Sequence, residues 1–113
     1  MSIQELIKAK IENDLRNLED IGKDTANWVM SKHDVRTDYL HGLALRGIVE
    51  PRLEEYKDSW NNDSPIMLWT VFEEPGDGYA IVYSEESGEF GLATNNKIFL
   101  HFDGSFGQTL YGM

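Results

Sequence analysis

At Pro65 the hydrophobic repeat of this chain changes period, and it does so only once. Ahead of that point Ile3, Leu6, Ile7, Ile11, Leu15 and Leu18 recur chiefly three or four residues apart, the repeat of a single helical face. Beyond it, from Ile66 to Phe102, apolar side chains alternate with others in short runs separated by Gly-, Pro- and Asn-bearing turns, which is the repeat of strands. Helical and extended segments kept apart in this way predict an α+β fold rather than alternating βαβ units.

The helical half opens with Ser2 and Glu5, a capping-box pair that satisfies amide donors at a helix start. The repeat continues through Gly22 and Thr25 to Trp28 and Val29, so residues 3–32 read as one long helix or as two divided at Gly22, with Asp24 or Thr25 as the second cap. His33-Asp34 is the next break. Tyr39, Leu40, Leu43, Ala44 and Ile48, then Leu53, Tyr56 and Trp60, extend a further helical repeat to residue 60, with Pro51 as a kink or a first-turn residue. Residues 1–60 are therefore expected to form a helical hairpin, ended by the loop residues Trp60 to Pro65.

Residues 66–113 read as a four-stranded antiparallel meander and a short C-terminal helix. The strands are 66–73, 79–84, 89–94 and 97–102, and their short connections predict sequential pairing. Ser105 and Gln108 form a second capping-box pair ahead of the last helix. The whole chain, 1–113, is expected to be a single domain. Alternation places Ile66, Leu68, Thr70, Phe72, Ile81, Tyr83, Phe90 and Leu92 on a face for the helices to cover. The other face carries Met67, Trp69, Val71, Val82, Ala93, Phe99 and His101, too apolar for open solvent. It is expected to be covered by the chain itself or by an intermolecular partner.

Charge narrows the choice of partner. The net charge is −10, and residues 61–113 hold eight acids against one basic residue, Lys97. Phosphate backbones and anionic membranes are bound by Lys and Arg, so nucleic-acid and membrane partners are disfavoured. A basic protein would be steered toward the chain. Six of the eight acids fall in two short stretches: Glu73, Glu74 and Asp77 in one, Glu85, Glu86 and Glu89 in the other. No cysteine is present, which removes disulfide and thiolate-metal chemistry. The start lacks the basic and apolar run of a signal peptide. A soluble, cytoplasmic protein is expected.

Catalytic readings are weak. His41 with Asp38, and His33 with Asp34, fall short of the three or four convergent ligands a metal needs. His101 beside Asp103 lacks an evident nucleophile, and Ser84, Ser87 and Ser105 stand in turns where hydroxyls cap amides. The doublets Glu73-Glu74 and Glu85-Glu86 splay rather than converge, unlike a glycosidase pair. No cofactor, metal or enzyme activity is expected.

The run Gly78-Tyr79-Ala80-Ile81-Val82-Tyr83, with Phe90-Gly91-Leu92-Ala93, Gly104-Ser105-Phe106 and the closing Leu110 and Met113, resembles the sheet half of small acidic bacterial immunity proteins. That resemblance implies a cytoplasmic inhibitor that occludes a cognate toxin, often basic, without catalysis. The expected partner-binding residues are Glu85, Glu86, Glu89, Glu73, Glu74, Asp77, Trp69 and Phe99. The alternative is a homodimeric structural or regulatory module pairing through a Trp69/Phe99 sheet face.

Overall fold

The structure is a computed structural model that describes residues 1–25, 33–76 and 78–113. Among these, helices α1 (Ile3–Arg16), α2 (Leu18–Thr25) and α3 (His33–Gly47) precede strands β1 (Ile48–Asp58), β2 (Ser64–Glu73), β3 (Tyr79–Tyr83), β4 (Phe90–Thr94) and β5 (Ile98–Gly104). A last helix, α4 (Phe106–Gly112), closes the chain. The α+β class, the N-terminal helices, the antiparallel meander and the short terminal helix agree with the sequence. The number of strands and the extent of the helical half do not.

Residues 48–58 are strand, not helix, so the sheet has five strands rather than four. The apparent helical trio Leu53, Tyr56 and Trp60 turns out to be one outward residue, one buried residue and one turn residue, at 50%, 1% and 80% exposure. Two features hide the strand. The side of β1 turned inward carries Glu54, Tyr56 and Asp58 rather than aliphatics. The strand also bulges, since Ile48 lies opposite Phe72 and Arg52 opposite Thr70. Three residues of β1 there face one of β2, which shifts the alternation in mid-strand.

Each strand pairs antiparallel with the next. A meander of five strands brings the first and last into the same direction, so closing the ring requires a parallel pair. That pair exists as Lys57 opposite Ile98 and Asp58 opposite Phe99. The Lys57 amide donates to the Lys97 carbonyl at 2.8 Å and the Ser59 amide to the Phe99 carbonyl at 3.3 Å. Beyond this overlap side chains continue the seam: the Ser59 hydroxyl donates to the Phe99 carbonyl at 2.8 Å, and the Trp60 indole N–H donates to the Leu100 carbonyl.

Closure explains what covers the second sheet face. Tyr56, Leu68, Val82, Ala93 and Phe99 fill the barrel, with Ile66 and Phe102 packed against them. The outer wall supplies Trp69, Val71, Phe72, Ile81, Tyr83 and Phe90 to a larger core with Ile7, Ile11, Leu18, Leu40, Leu43, Phe106 and Leu110 of the helices. The alternation within β2 agrees with the sequence as far as Val71. The bulge then turns Phe72, expected beside Leu68 and Thr70, to the helix side with Val71, and the phase of β2 relative to β3 also differs from expectation. Trp69 lies opposite Tyr83 and Thr70 opposite Val82, with a bulge before Phe72. Ile66, Leu68 and Thr70 therefore point into the barrel, and Trp69 and Val71 meet the helices. Trp69 and Phe99 stand on opposite sides of the wall, and the common face expected to unite them does not exist.

The first helical segment divides at Asn17, not Gly22. Asn17 leaves the helical region at φ −108° and ψ 19°, and its side-chain amide donates to the Asn13 carbonyl at 2.8 Å. Trp28 and Val29 lie outside the described residues. Ser2 accepts the Glu5 amide at 3.1 Å, and the Ser105–Gln108 capping box is complete. The α4 start is also tied to α1, because the Gly107 amide donates to Asp14 Oδ2 at 3.1 Å.

Candidate functional site

The two acidic stretches close opposite ends of β3. At one end the Glu74 amide donates to the Tyr79 carbonyl at 3.0 Å; at the other the Ser84 amide donates to the Glu89 carbonyl at 2.9 Å. Their electrostatic states differ. Glu73 Oε2 is 2.8 Å from Arg52 Nη2, so much of its charge is answered internally. Asp77 lies outside the described residues. The 84–89 turn is built for projection: Gly88 sits at φ +73°, and Ser84 Oγ accepts the Ser87 amide at 3.1 Å. Glu85 and Glu86 stand exposed on it, and neither Glu86 nor Glu89 has an ion pair among the described residues.

Glu85 connects this turn to the barrel wall. Trp69 Nε1 donates to Glu85 Oε1 at 3.2 Å. Trp69 is opposite Leu53, and Met67 is opposite Glu55, on the outer face shared by β1 and β2. Leu53 and Met67 lie on a cross-strand diagonal and are 50% and 53% exposed. Glu85 also lines a shallow depression of about 280 Å³ with Met1, Ser2, Ile3 and Leu6 of the α1 start. Exposed apolar side chains and exposed carboxylates thus meet around Trp69.

Two basic residues of this region, Lys97 and Arg52, serve the fold, while Lys57 is exposed on the outer side of β1. Lys97 Nζ is 2.7 Å from Glu54 Oε1, which also accepts from Thr70 Oγ1 at 2.6 Å and Arg52 Nε at 3.1 Å. Tyr56 and Thr70 share a hydrogen bond of 2.5 Å deeper in the barrel, and Lys97 Nζ lies 5.2 Å from the Tyr56 ring centre. Burial alone would raise the Glu54 pKa. Hydrogen bonds from Lys97 and Thr70, with the charges of Lys97 and Arg52, outweigh it and hold the carboxyl below its ordinary range. Burial pushes the Tyr56 phenol up, against smaller lowering effects from Thr70 and Lys97. The Arg52 guanidinium is raised, first by its hydrogen bond to Glu73, against the opposing effect of burial. This cluster is satisfied internally and buried at its Tyr56–Thr70 end, which suits support better than chemistry.

The catalytic candidates remain dispersed. His101 Nδ1 is 3.1 Å from Asp103 Oδ1, but His101 is exposed, and the Ser84 and Ser105 hydroxyls accept the amides of Ser87 and Gln108. His41 is exposed on α3; the side chains of His33, Asp34 and Asp38 lie outside the described set. Among the described residues no cluster of three or more His, Asp or Glu side chains could hold a metal ion, and no helix is long and apolar enough to cross a membrane. A groove of about 440 Å³ lined by Ile11, Leu15, Leu45, Ile48 and Pro51 runs between α1 and the α3–β1 junction. The Lys8–Glu50 ion pair, at 2.7 Å, joins α1 to β1 on its rim.

Comparison with family models, with curated proteins and with solved structures finds no match. The sequence conceals Leu53 and Glu55 because residues 48–58 carry a helix-like repeat, and it conceals Met67 because alternation alone assigns it to a face shared with Phe99. The available signal is Ile48-Val49, a β-branched pair just ahead of Pro51, which favours a strand start over a helix interior.

Proposed function

We propose that this chain is a non-catalytic binding protein that neutralises a basic protein, of the kind represented by a bacterial toxin, by covering its working surface. The observation that carries this reading is the state of Lys97. The one basic residue after position 60 is held by Glu54, while Glu85 and Glu86 project from the β3–β4 turn. The sheet half thus offers a partner negative charge with little competing positive charge. Such a surface steers a cationic protein into encounter, and short-range apolar contacts then slow its release. The resemblance of the sheet half to acidic immunity proteins points the same way, as does the absence of a convergent catalytic group among the described residues. In this reading the protein works in the cytoplasm, in stoichiometric complex with its target.

The test is genetic and then biophysical. The product of the gene adjacent to this one is expressed in a bacterial host alone and together with this chain. Growth arrest by the neighbour alone, relief on co-expression, and a purified complex that weakens steeply with added salt are expected. A complex whose affinity is indifferent to salt overturns the charge mechanism, and absence of both toxicity and complex overturns the inhibitor reading.

A further inference from the structure

The outer wall of β1–β2 is the part of the barrel least explained by folding. A solvated antiparallel face normally carries hydroxylated or charged side chains. Here Leu53 and Met67 are half exposed on a cross-strand diagonal, next to a Trp69 that is already packed against the helices. The Trp69 bond to Glu85 fixes the indole and brings the acidic turn to the edge of the apolar pair. Glu55, directly across from Met67, supplies a carboxylate on the other flank.

We infer that this wall is a docking surface for a cationic protein surface with an apolar centre, Leu53 and Met67 forming the contact centre and Glu55 and Glu85 its rim. The inference rests on the binding-protein reading and adds where the partner sits and what it presents. Interfaces commonly place apolar contacts centrally and polar groups around them, and Met adapts its shape to a partner at low cost. The charge decides the occupant. A second copy of this chain would bring another net −10 and the same Glu55 and Glu85 against the rim, a like-charge arrangement that costs affinity. A basic partner finds complementary charge at the rim, where Glu55 and Glu85 outnumber the one exposed lysine on this side of β1, Lys57, and an apolar centre that excludes water. Because Trp69 is anchored on two sides, the wall requires little ordering on binding.

The probe is an amphipathic peptide of alternating Leu and Lys, titrated into the 15N-labelled full chain, with a Lys-only peptide and an alternating Leu/Glu peptide as comparisons. The Leu/Lys peptide is expected to shift the amides of residues 53–57, 66–69 and 85 together with the Trp69 indole N–H. The Lys-only peptide should bind there at least about tenfold more weakly, and the Leu/Glu peptide weaker still. Leu53→Ser with Met67→Ser should weaken the Leu/Lys peptide by about tenfold. Glu55→Gln with Glu85→Gln should flatten its salt dependence while leaving a carbonyl acceptor for Trp69. Both positions of the serine pair are half exposed, so an unchanged melting temperature is expected and confirms that the fold is intact. Shifts centred on the α1/α3 groove, or equal binding of the Leu/Lys and Lys-only peptides, or no binding, overturn the inference. If the neighbouring-gene product binds the double variant Leu53→Ser with Met67→Ser as tightly as the parent, the surface is wrong and the inhibitor reading stands. If the peptide maps to the wall while the neighbour is neither toxic nor bound, the surface stands and the inhibitor reading falls.

Discussion

Lys97 Nζ lies 2.7 Å from Glu54 Oε1, a bond across 43 residues that joins the β4–β5 turn to the middle of β1. Lys97 holds a left-handed backbone, φ +68°, to make it. The conformation disfavours any side chain with a Cβ, so backbone preference alone would choose glycine at this place. Two opposed expectations follow for substitutions there. Lys97→Gly relieves the backbone but leaves Glu54 without its ammonium partner; Lys97→Met keeps most of the apolar stem and removes the charge and the hydrogen-bond donor together. If the ion pair dominates, both lower stability, by about 1–2 kcal/mol for Lys97→Met, since a partly buried carboxylate loses its strongest donor. A double-mutant cycle with Glu54→Gln in urea should show the two positions coupled. Additive effects, or a stabilised Lys97→Gly, would show that the turn conformation matters more than the pair.

The same cluster sets the pH limits of the fold. Glu54 titrates below its ordinary value of 4.5 in the folded state. A depressed carboxyl pKa contributes stability at pH above the unfolded value, and that contribution is lost as pH falls through the folded pKa. Tyr56 titrates above its ordinary 10.0, so its contribution is present below pH 10 and is lost as pH rises through the raised value. Glu54→Gln should therefore flatten the acid limb of a stability–pH curve measured by chemical denaturation, at pH below about 4.5. Tyr56→Phe should flatten the alkaline limb and leave the acid limb in place. An acid limb unchanged in Glu54→Gln assigns acid sensitivity to other carboxylates.

How much of this is legible in the sequence depends on which side of the sheet a residue faces. The strands after Pro65, the Ser2 and Ser105 helix caps and the meander order are readable because each rests on local chemistry within a few residues, whereas the change from helix to strand falls at Gly47–Ile48 and not at Pro65. β1 is not, because its inward positions are Glu54, Tyr56 and Asp58, and the partners of the first two, Lys97 and Thr70, lie far along the chain. A strand whose buried side is polar carries no apolar alternation to detect. The phase of β2 is hidden for a related reason: pairing register is set between strands, and the bulge before Phe72 leaves no mark in either one alone. The surface around Trp69 shows only in parts, as an acidic turn and a tryptophan, since the bond joining them depends on that register.

Gly91 tests the barrel interior. A Cβ there would meet the His101 carbonyl oxygen at 2.5 Å and Phe102 Cα at 3.1 Å, both backbone atoms of the adjoining strand. Gly107 poses a milder case, because its nearest neighbour is the Ile21 side-chain tip at 2.8 Å. A side-chain end can rotate, whereas a paired backbone cannot move without breaking its ladder. Gly91→Ala is expected to cost about 2–3 kcal/mol, and Gly107→Ala about 1 kcal/mol or less. Thermal or urea denaturation ranks them directly, and the reverse order would mean that the β4–β5 bulge relaxes more easily than the α2–α4 contact.

The seam between β1 and β5 should be the first part of the barrel to open. The strands overlap by only two residue pairs, while β1 and β2 share eight. Backbone pairing at the seam is extended by the side chains of Ser59 and Trp60 reaching the carbonyls of Phe99 and Leu100. Trp60 is 80% exposed, so replacing it removes little buried apolar surface and reports chiefly on that bond. Ser59→Ala with Trp60→Phe is therefore expected to lower global stability by about 1–2 kcal/mol. The effect on local opening should be larger in relative terms. Amides of Lys57 and Ser59, which donate across the seam, should exchange markedly faster with solvent, whereas those of Ile81 and Val82 in the central strand should follow only the global change. Uniform acceleration across all strands would show that the barrel opens as one unit and that the seam is no weaker than the rest.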